Sequence, residues 1–336
     1  MDRLGVCLRT ASDVGRGSAG RPCGHRCVGE NGADRPAQPA RLAVGMLLQM
    51  LPEDAHAGIW TFSDQVDELV KHGITDQLFK QIAEIQLARL PTGGQRSNLL
   101  EALDRASWDA VNPSGRSRHI VLLAHGALDI SDDNAVNEVA RQRLLEQRLP
   151  ALRDAGFKIH TVAVSDAANV ALLAEIAKST GGTTGRVDTA VELRAFLLKV
   201  LDNVAMNSLL PHTPDAGFRV DGGIKELTIL RLRAADDPTL TLSDPGGTLL
   251  DRTTPQSQIR WHKDVGYDLV SIRDPAPGTW RFQSSSDGDI RVVAVGDLSL
   301  QLVGVPGTLL PGGPKTFELY LLSDGRRLTD ADFLEL

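Results

Sequence analysis

Residues 118–126 read Arg-His-Ile-Val-Leu-Leu-Ala-His-Gly. An apolar, partly β-branched run that stops abruptly at His125-Gly126 reads as a strand closed by a tight turn. With no polar alternation, such a strand needs cover on both faces, which parallel sheets flanked by helices provide and one-sided antiparallel sheets do not.

The neighbouring residues carry that cover. Gly58–Phe62 is a short strand in which Trp60 and Phe62 alternate with Thr61 as core residues. Leu78, Ile82, Ile85 and Leu90 recur at helical spacing over 75–90, with Thr75 or Asp76 as N-cap. Ser97-Asn98 opens a helix through Leu99, Leu100, Leu103 and Ala106. A long helix is expected from about Asn134 to Ala155, stopped by Gly156. Lys158–Val164 reads as a strand, Val170–Ser179 as a helix closed by Gly181-Gly182, Thr183–Val187 as a strand, and Ala190–Ala205 as a helix. Strands alternating with helices imply an α/β domain over 41–206, built on a doubly wound, mostly parallel sheet.

The pattern changes after residue 206. Residues 207–217 hold Pro211 and Pro214 and read as a linker. Over 218–296, short alternating runs are separated by turns such as Ser243-Asp-Pro-Gly-Gly247 and Asp274-Pro-Ala-Pro-Gly278. They imply an all-β sandwich of immunoglobulin-like type with Trp261 and Trp280 in its core. Residues 297–336, with Leu298, Leu300 and Leu302 alternating, read as a partial β-rich module. Residues 1–40 are Arg- and Gly-rich and are expected to be an atypical, disordered segment containing no strand.

A net charge of −7 gives no basic face for nucleic acid. No run approaches the roughly 18 apolar residues of a membrane span, and no apolar signal-peptide core precedes residue 40. The three cysteines, Cys7, Cys23 and Cys27, lie in the first 27 residues. With His25 they fall short of a convincing structural zinc set. There is no Gly-x-Ser-x-Gly elbow, His-Glu-x-x-His helix or phosphate-binding loop. Thr92–Arg96 reads as a loop before the Ser97 helix, His160 as a packed or hydrogen-bonded histidine, and His262 lacks catalytic companions.

Leu51–Phe62, Ser97–Leu103 and the strand ending at His125 together resemble a von Willebrand factor A (VWA) domain across residues 41–205. The resemblance implies a cation site at the carboxyl edge of the sheet, a metal-ion-dependent adhesion site. Its ligands come from an Asp-x-Ser-x-Ser loop after the first strand, a Ser or Thr on a second loop, and an Asp after the central strand. Ser97 matches the second loop and is the remnant ligand. His125 stands where the Asp belongs, and imidazole is a poor ligand for Mg²⁺. The first loop and its strand are not found before Arg41. Shifting the reading frame over His25–Ala40 allows codons that spell a close version of that motif, which suggests a frameshifted segment; the coding DNA decides.

On this resemblance the cation site is degenerate and no cofactor is expected, although Mg²⁺ is implied for intact relatives. The expected function is non-enzymatic protein binding or adhesion in the bacterial cell envelope or periplasm. The rim for a protein partner is Ser97, His125 and Asp129. Asp129, Asp132 and Asp133 form an acidic loop that also suits a helix N-cap. The alternatives are a hydrolase with an unrecognised site, or a decayed product that fails to fold for want of its first strand.

Overall fold

The computed structural model describes residues 3–8, 37–51, 55–89, 96–107, 118–124, 128–164, 168–204, 209–213, 217–233, 237–254, 257–263, 266–283, 289–296, 298–303, 318–323 and 326–327. The chain divides into two compact units, Met1–Met206 and Asn207–Leu336.

In the first unit, six described strands form one sheet: β1 (Arg3–Leu8), β2 (His56–Phe62), β3 (Val66–Ile74), β4 (Arg118–Ala124), β5 (Phe157–Ala163) and β6 (Thr184–Arg186). Their order is β3-β2-β1-β4-β5-β6, with β3 antiparallel at one edge and the rest parallel. Every position of β4 is buried. Ile120, Leu122 and Ala124 join a core with Trp60, Phe62 and Phe157, while the alternate Val121 and Leu123 are equally buried, so both faces of the strand are covered. Thr61 is buried with its neighbours for the same reason.

The first strand corrects the sequence reading. Arg3–Leu8 fills the slot between β2 and β4, pairing Gly5 with both Gly58 and Ile120. A gap there would leave two buried rows of backbone N–H and C=O groups without partners, which interiors do not tolerate. The apolar letters of Leu4-Gly-Val-Cys-Leu8 were submerged in an Arg- and Gly-rich stretch. With the slot filled, the argument for a non-folding product loses its premise. Residues 9–36, including Cys23, His25 and Cys27, lie outside the described residues.

Seven described α-helices accompany the sheet: α1 (Ala37–Met50), α2 (Gln77–Leu87), α3 (Leu99–Ala106), α4 (Asn134–Arg143), α5 (Leu149–Asp154), α6 (Val170–Thr180) and α7 (Ala190–Val204). The single helix expected over 134–155 is α4 and α5 joined by a π-helical turn, Leu144–Arg148. Pro150, in the first turn of α5, supplies the cause: it has no N–H for the carbonyl four residues back, and its ring needs extra room. The antiparallel β3 was not foreseen, because its burial is broken by exposed Asp67, Glu68 and Lys71.

α2 begins where expected, with Asp76 Oδ1 accepting from Phe79 N at 2.8 Å. Its inward face is a different one, namely Phe79, Lys80, Ala83 and Leu87. Lys80 can be buried because its ammonium donates to the Leu51 carbonyl at 2.8 Å and the Gln49 carbonyl at 3.3 Å, at the end of α1. A buried charge is tolerable only with such partners.

Among the described residues of the second unit, two antiparallel sheets share one core. One runs β11 (Leu249–Leu250), β10 (Leu242–Ser243), β14 (Gly278–Phe282), β8 (Gly217–Val220), β7 (His212–Thr213). The other runs β12 (Ile259–Lys263), β13 (Tyr267–Arg273), β9 (Ile224–Leu232), β15 (Ile290–Gly296). Phe218, Leu242 and Trp280 from the first meet Ile229, Val270 and Val292 from the second. Trp280 is buried and donates its indole N–H to Ala276 O at 2.9 Å; Trp261 is half-buried against the same core. The expected linker already belongs to the sandwich, since β7 pairs with β8 and Leu209 bridges Val293. Pro211 precedes an edge strand, where proline removes no needed ladder bond, and Pro214 lies outside the described residues. A further three-stranded antiparallel sheet joins β16 (Leu298–Val303), β17 (Glu318–Ser323) and β18 (Arg326–Arg327).

Candidate binding rim

The carboxyl ends of parallel strands are where open α/β sheets place ligands, and of the sequence-predicted rim residues the structure describes Ser97 and Asp129. Ser97, which opens α3, is buried. Its backbone forms a two-way bridge with Asp129, Ser97 N donating to Asp129 O at 2.6 Å and Asp129 N to Ser97 O at 3.1 Å. Asn98 N donates to Ser63 O at 3.1 Å, tying the same turn to the end of β2. Asn98 and Glu101 satisfy each other reciprocally, with Glu101 N donating to Asn98 Oδ1 and Asn98 Nδ2 to Glu101 Oε2. The fold thus brings Ser97 and Asp129 together. His125 lies outside the described residues.

Two residues that sequence reasoning passed over organise this rim. Arg96 N donates to Asp64 Oδ1 at 2.9 Å, and its guanidinium lies 2.8 Å from Asp132 and 3.8 Å from Asp129. Asn137 Oδ1 accepts from Ile130 N at 2.8 Å and Ser131 N at 3.0 Å, while its Nδ2 donates to Ser131 O at 2.8 Å and Asp129 Oδ1 at 3.2 Å. Neither had a local signal. Arg96 ended what read as a plain loop, and Asn137 is one polar residue of an exposed helix. Asp133 caps α4 by accepting from Ala135 N, which is the structural role its position suggested.

The guanidinium beside Asp129 and Asp132 opposes a second positive centre there, and Asp129 already accepts from Asn137. Among the described residues, no group of three or more His, Cys, Asp and Glu side chains is gathered to hold a metal ion. Beside the rim, a cavity of about 290 Å³ is lined by Leu128, Asn134, Asn137, Glu138, Arg141, Asn169 and Leu172. It is open and hydrogen-bonding in character, with no nucleophile paired to a base.

The most perturbed titratable groups sit away from the rim. His119 and His160 are fully buried and stacked, with 3.0 Å between His119 Nδ1 and His160 Nε2. Thr183 N donates to His160 Nδ1 at 3.1 Å, so the proton of neutral His160 is on Nε2 and is donated to His119. Burial pushes His119 down to about 3, aided by His160 and then Lys158; it pushes His160 down to about 4, aided by Lys158.

Comparison with solved structures returns proteins with von Willebrand factor A domains at low similarity. The chain is similar to a von Willebrand factor type A protein from Catenulispora acidiphila at 12% identity and TM-score 0.45, with 96% of this chain and 62% of that one covered. It thus spans under two thirds of that protein. BatB from Bacteroides thetaiotaomicron gives 14% identity and TM-score 0.42 over 61% of this chain and 98% of that one. The vWF domain of the type V pili tip protein Mfa5 from Porphyromonas gingivalis gives 10% and 0.42 over 61% and 95%. Residues 204–299 match a family model described as Hemicentin galactose-binding domain-like. No curated relative matches in sequence. Among the described residues, no helix is long and apolar enough to cross a membrane.

Proposed function

We propose that this chain is a non-enzymatic binding protein of the VWA type, which recognises a protein partner through the Arg96–Ser97–Asp129 rim without a divalent cation. The observation that carries the reading is the Arg96 guanidinium held between Asp129 and Asp132. It places a half-buried guanidinium at an edge where the VWA resemblance calls for a metal, and a guanidinium there can share its donors with a carboxylate on a partner. The sheet provides a rigid platform for such a rim. By the same resemblance, we assign the chain to the bacterial cell envelope.

For the second unit, we read a galactose-binding-domain-like sandwich in preference to an immunoglobulin-like one. The match over 204–299 supports it. So does the strand order, because β14 lies between β8 and β10, which the immunoglobulin arrangement does not have.

Calorimetric titration of the full chain with Mg²⁺, Mn²⁺ and Zn²⁺ tests the rim. The expected result is no saturable heat for any of them. Mg²⁺ or Mn²⁺ binding that disappears in Ser97→Ala would overturn the cation-independent reading.

A further inference from the structure

α2 carries two apolar stripes. Phe79, Ala83 and Leu87 face the core, whereas Leu78 (63% exposed), Ile82 (42%) and Ile85 (54%) face solvent. Positions 78, 82 and 85 recur at the spacing that lines one side of a helix, and Arg89, exposed in the turn just past Leu87, stands beyond the stripe's carboxyl end. At the other end stands the exposed N-cap Asp76, and Ile74 at the close of β3 is exposed as well. Between Asp76 and Arg89 the charged side chains are Lys80, turned inward, and Glu84, away from the stripe. The stripe is therefore apolar along its length, acidic at one end and basic at the other.

We infer that this stripe is the contact through which two copies of the chain pair, α2 against α2, antiparallel about a two-fold axis near Ile82. A two-fold contact uses the same patch on both subunits. Running antiparallel, it places Leu78 of one copy near Ile85 of the other and Asp76 of each beside Arg89 of the other. A parallel pairing would set Arg89 against Arg89 and Asp76 against Asp76. The charge at the ends therefore selects both a second copy and its direction. An apolar patch on the order of a few hundred Å² is within what a monomer leaves uncovered, and patches of that size are often functional. Even doubled, it falls below the roughly 1,200 Å² of a tight complex, so the dimer is weak and concentration-dependent.

Sedimentation equilibrium of the full chain provides the test. The expected result is a monomer–dimer equilibrium in the micromolar range, abolished by Ile82→Asp. Asp76→Asn, which keeps the helix cap, should weaken the dimer several-fold at low salt. On oxidation by dissolved oxygen or added oxidised glutathione, Ile82→Cys should form a disulfide between the two position-82 thiols, located by mass spectrometry; this variant answers the question even if Ile82→Asp disturbs folding. A chain that stays monomeric, a dimer indifferent to Ile82→Asp, or a dimer without that cross-link would each overturn the inference and give the stripe to another partner.

Discussion

His160 donates its Nε2 proton to His119 Nδ1 across 3.0 Å in the middle of the sheet, and Thr183 N fixes that tautomer from the other side. The pair is a buried network that is satisfied only while both rings are neutral. It has a consequence for acid stability.

Both histidines titrate lower in the folded chain, about 3 and about 4, than the 6.5 of an exposed imidazole. The unfolded chain therefore binds more protons between pH 6.5 and these values. Stability is complete above pH 6.5 and falls as the pH drops through that window, by up to about 1.4 kcal/mol per pH unit for each histidine. Urea unfolding at pH 7.5, 5.5 and 4.5 should show that decline, and His160→Gln should flatten it. Equal midpoints at the three values would contradict the pair's role.

Removing β1 should be far more damaging than the composition of residues 1–40 implies. Deletion of residues 1–10 strips partners from both β2 and β4, which pair with Arg3–Leu8 along its length. The first unit should then lose its cooperative thermal transition while the sandwich keeps its own. Calorimetry on the truncated chain checks this, and an unchanged first transition would return the segment to the status of a dispensable tail.

Asn137 holds the loop after β4 by four hydrogen bonds. Asn137→Ala leaves the Ile130 and Ser131 N–H groups without acceptors, a loss of about 1–3 kcal/mol. Asn137→Asp keeps the acceptor but sets a carboxylate beside Asp129, so it should rescue only part of that loss. Denaturant midpoints of the two variants make the comparison.

In the sandwich, Asp268 is completely buried. It accepts from Leu240 N at 2.7 Å and pairs with Arg233 at 3.1 Å and with Arg252. Asp268→Ala strands those guanidinium groups and should cost about 3–5 kcal/mol. Asp268→Asn retains an acceptor for Leu240 and should cost less. Chemical denaturation followed by Trp261 and Trp280 fluorescence would report both.

By itself, the sequence determined the elements whose signals are local. The unbroken apolar run of β4 required a two-sided sheet, Asp76, Asn98 and Asp133 announced helix starts, and paired turn residues marked the sandwich. Ser97 and Asp129 could be singled out from the sequence because each stands beside such an element. Tertiary structure alone decided what depends on partners distant in the chain. Arg3–Leu8 is a strand because β2 and β4 leave a slot that must be hydrogen-bonded. α2 turns Phe79 and Lys80 inward because Lys80 finds the end of α1, and this leaves Leu78, Ile82 and Ile85 in water. Arg96 becomes the rim's cation only once the fold carries Asp129 and Asp132 to it. Periodicity tells which residues share a face; it cannot tell which face has a neighbour, because burial is a property of what the rest of the chain brings near.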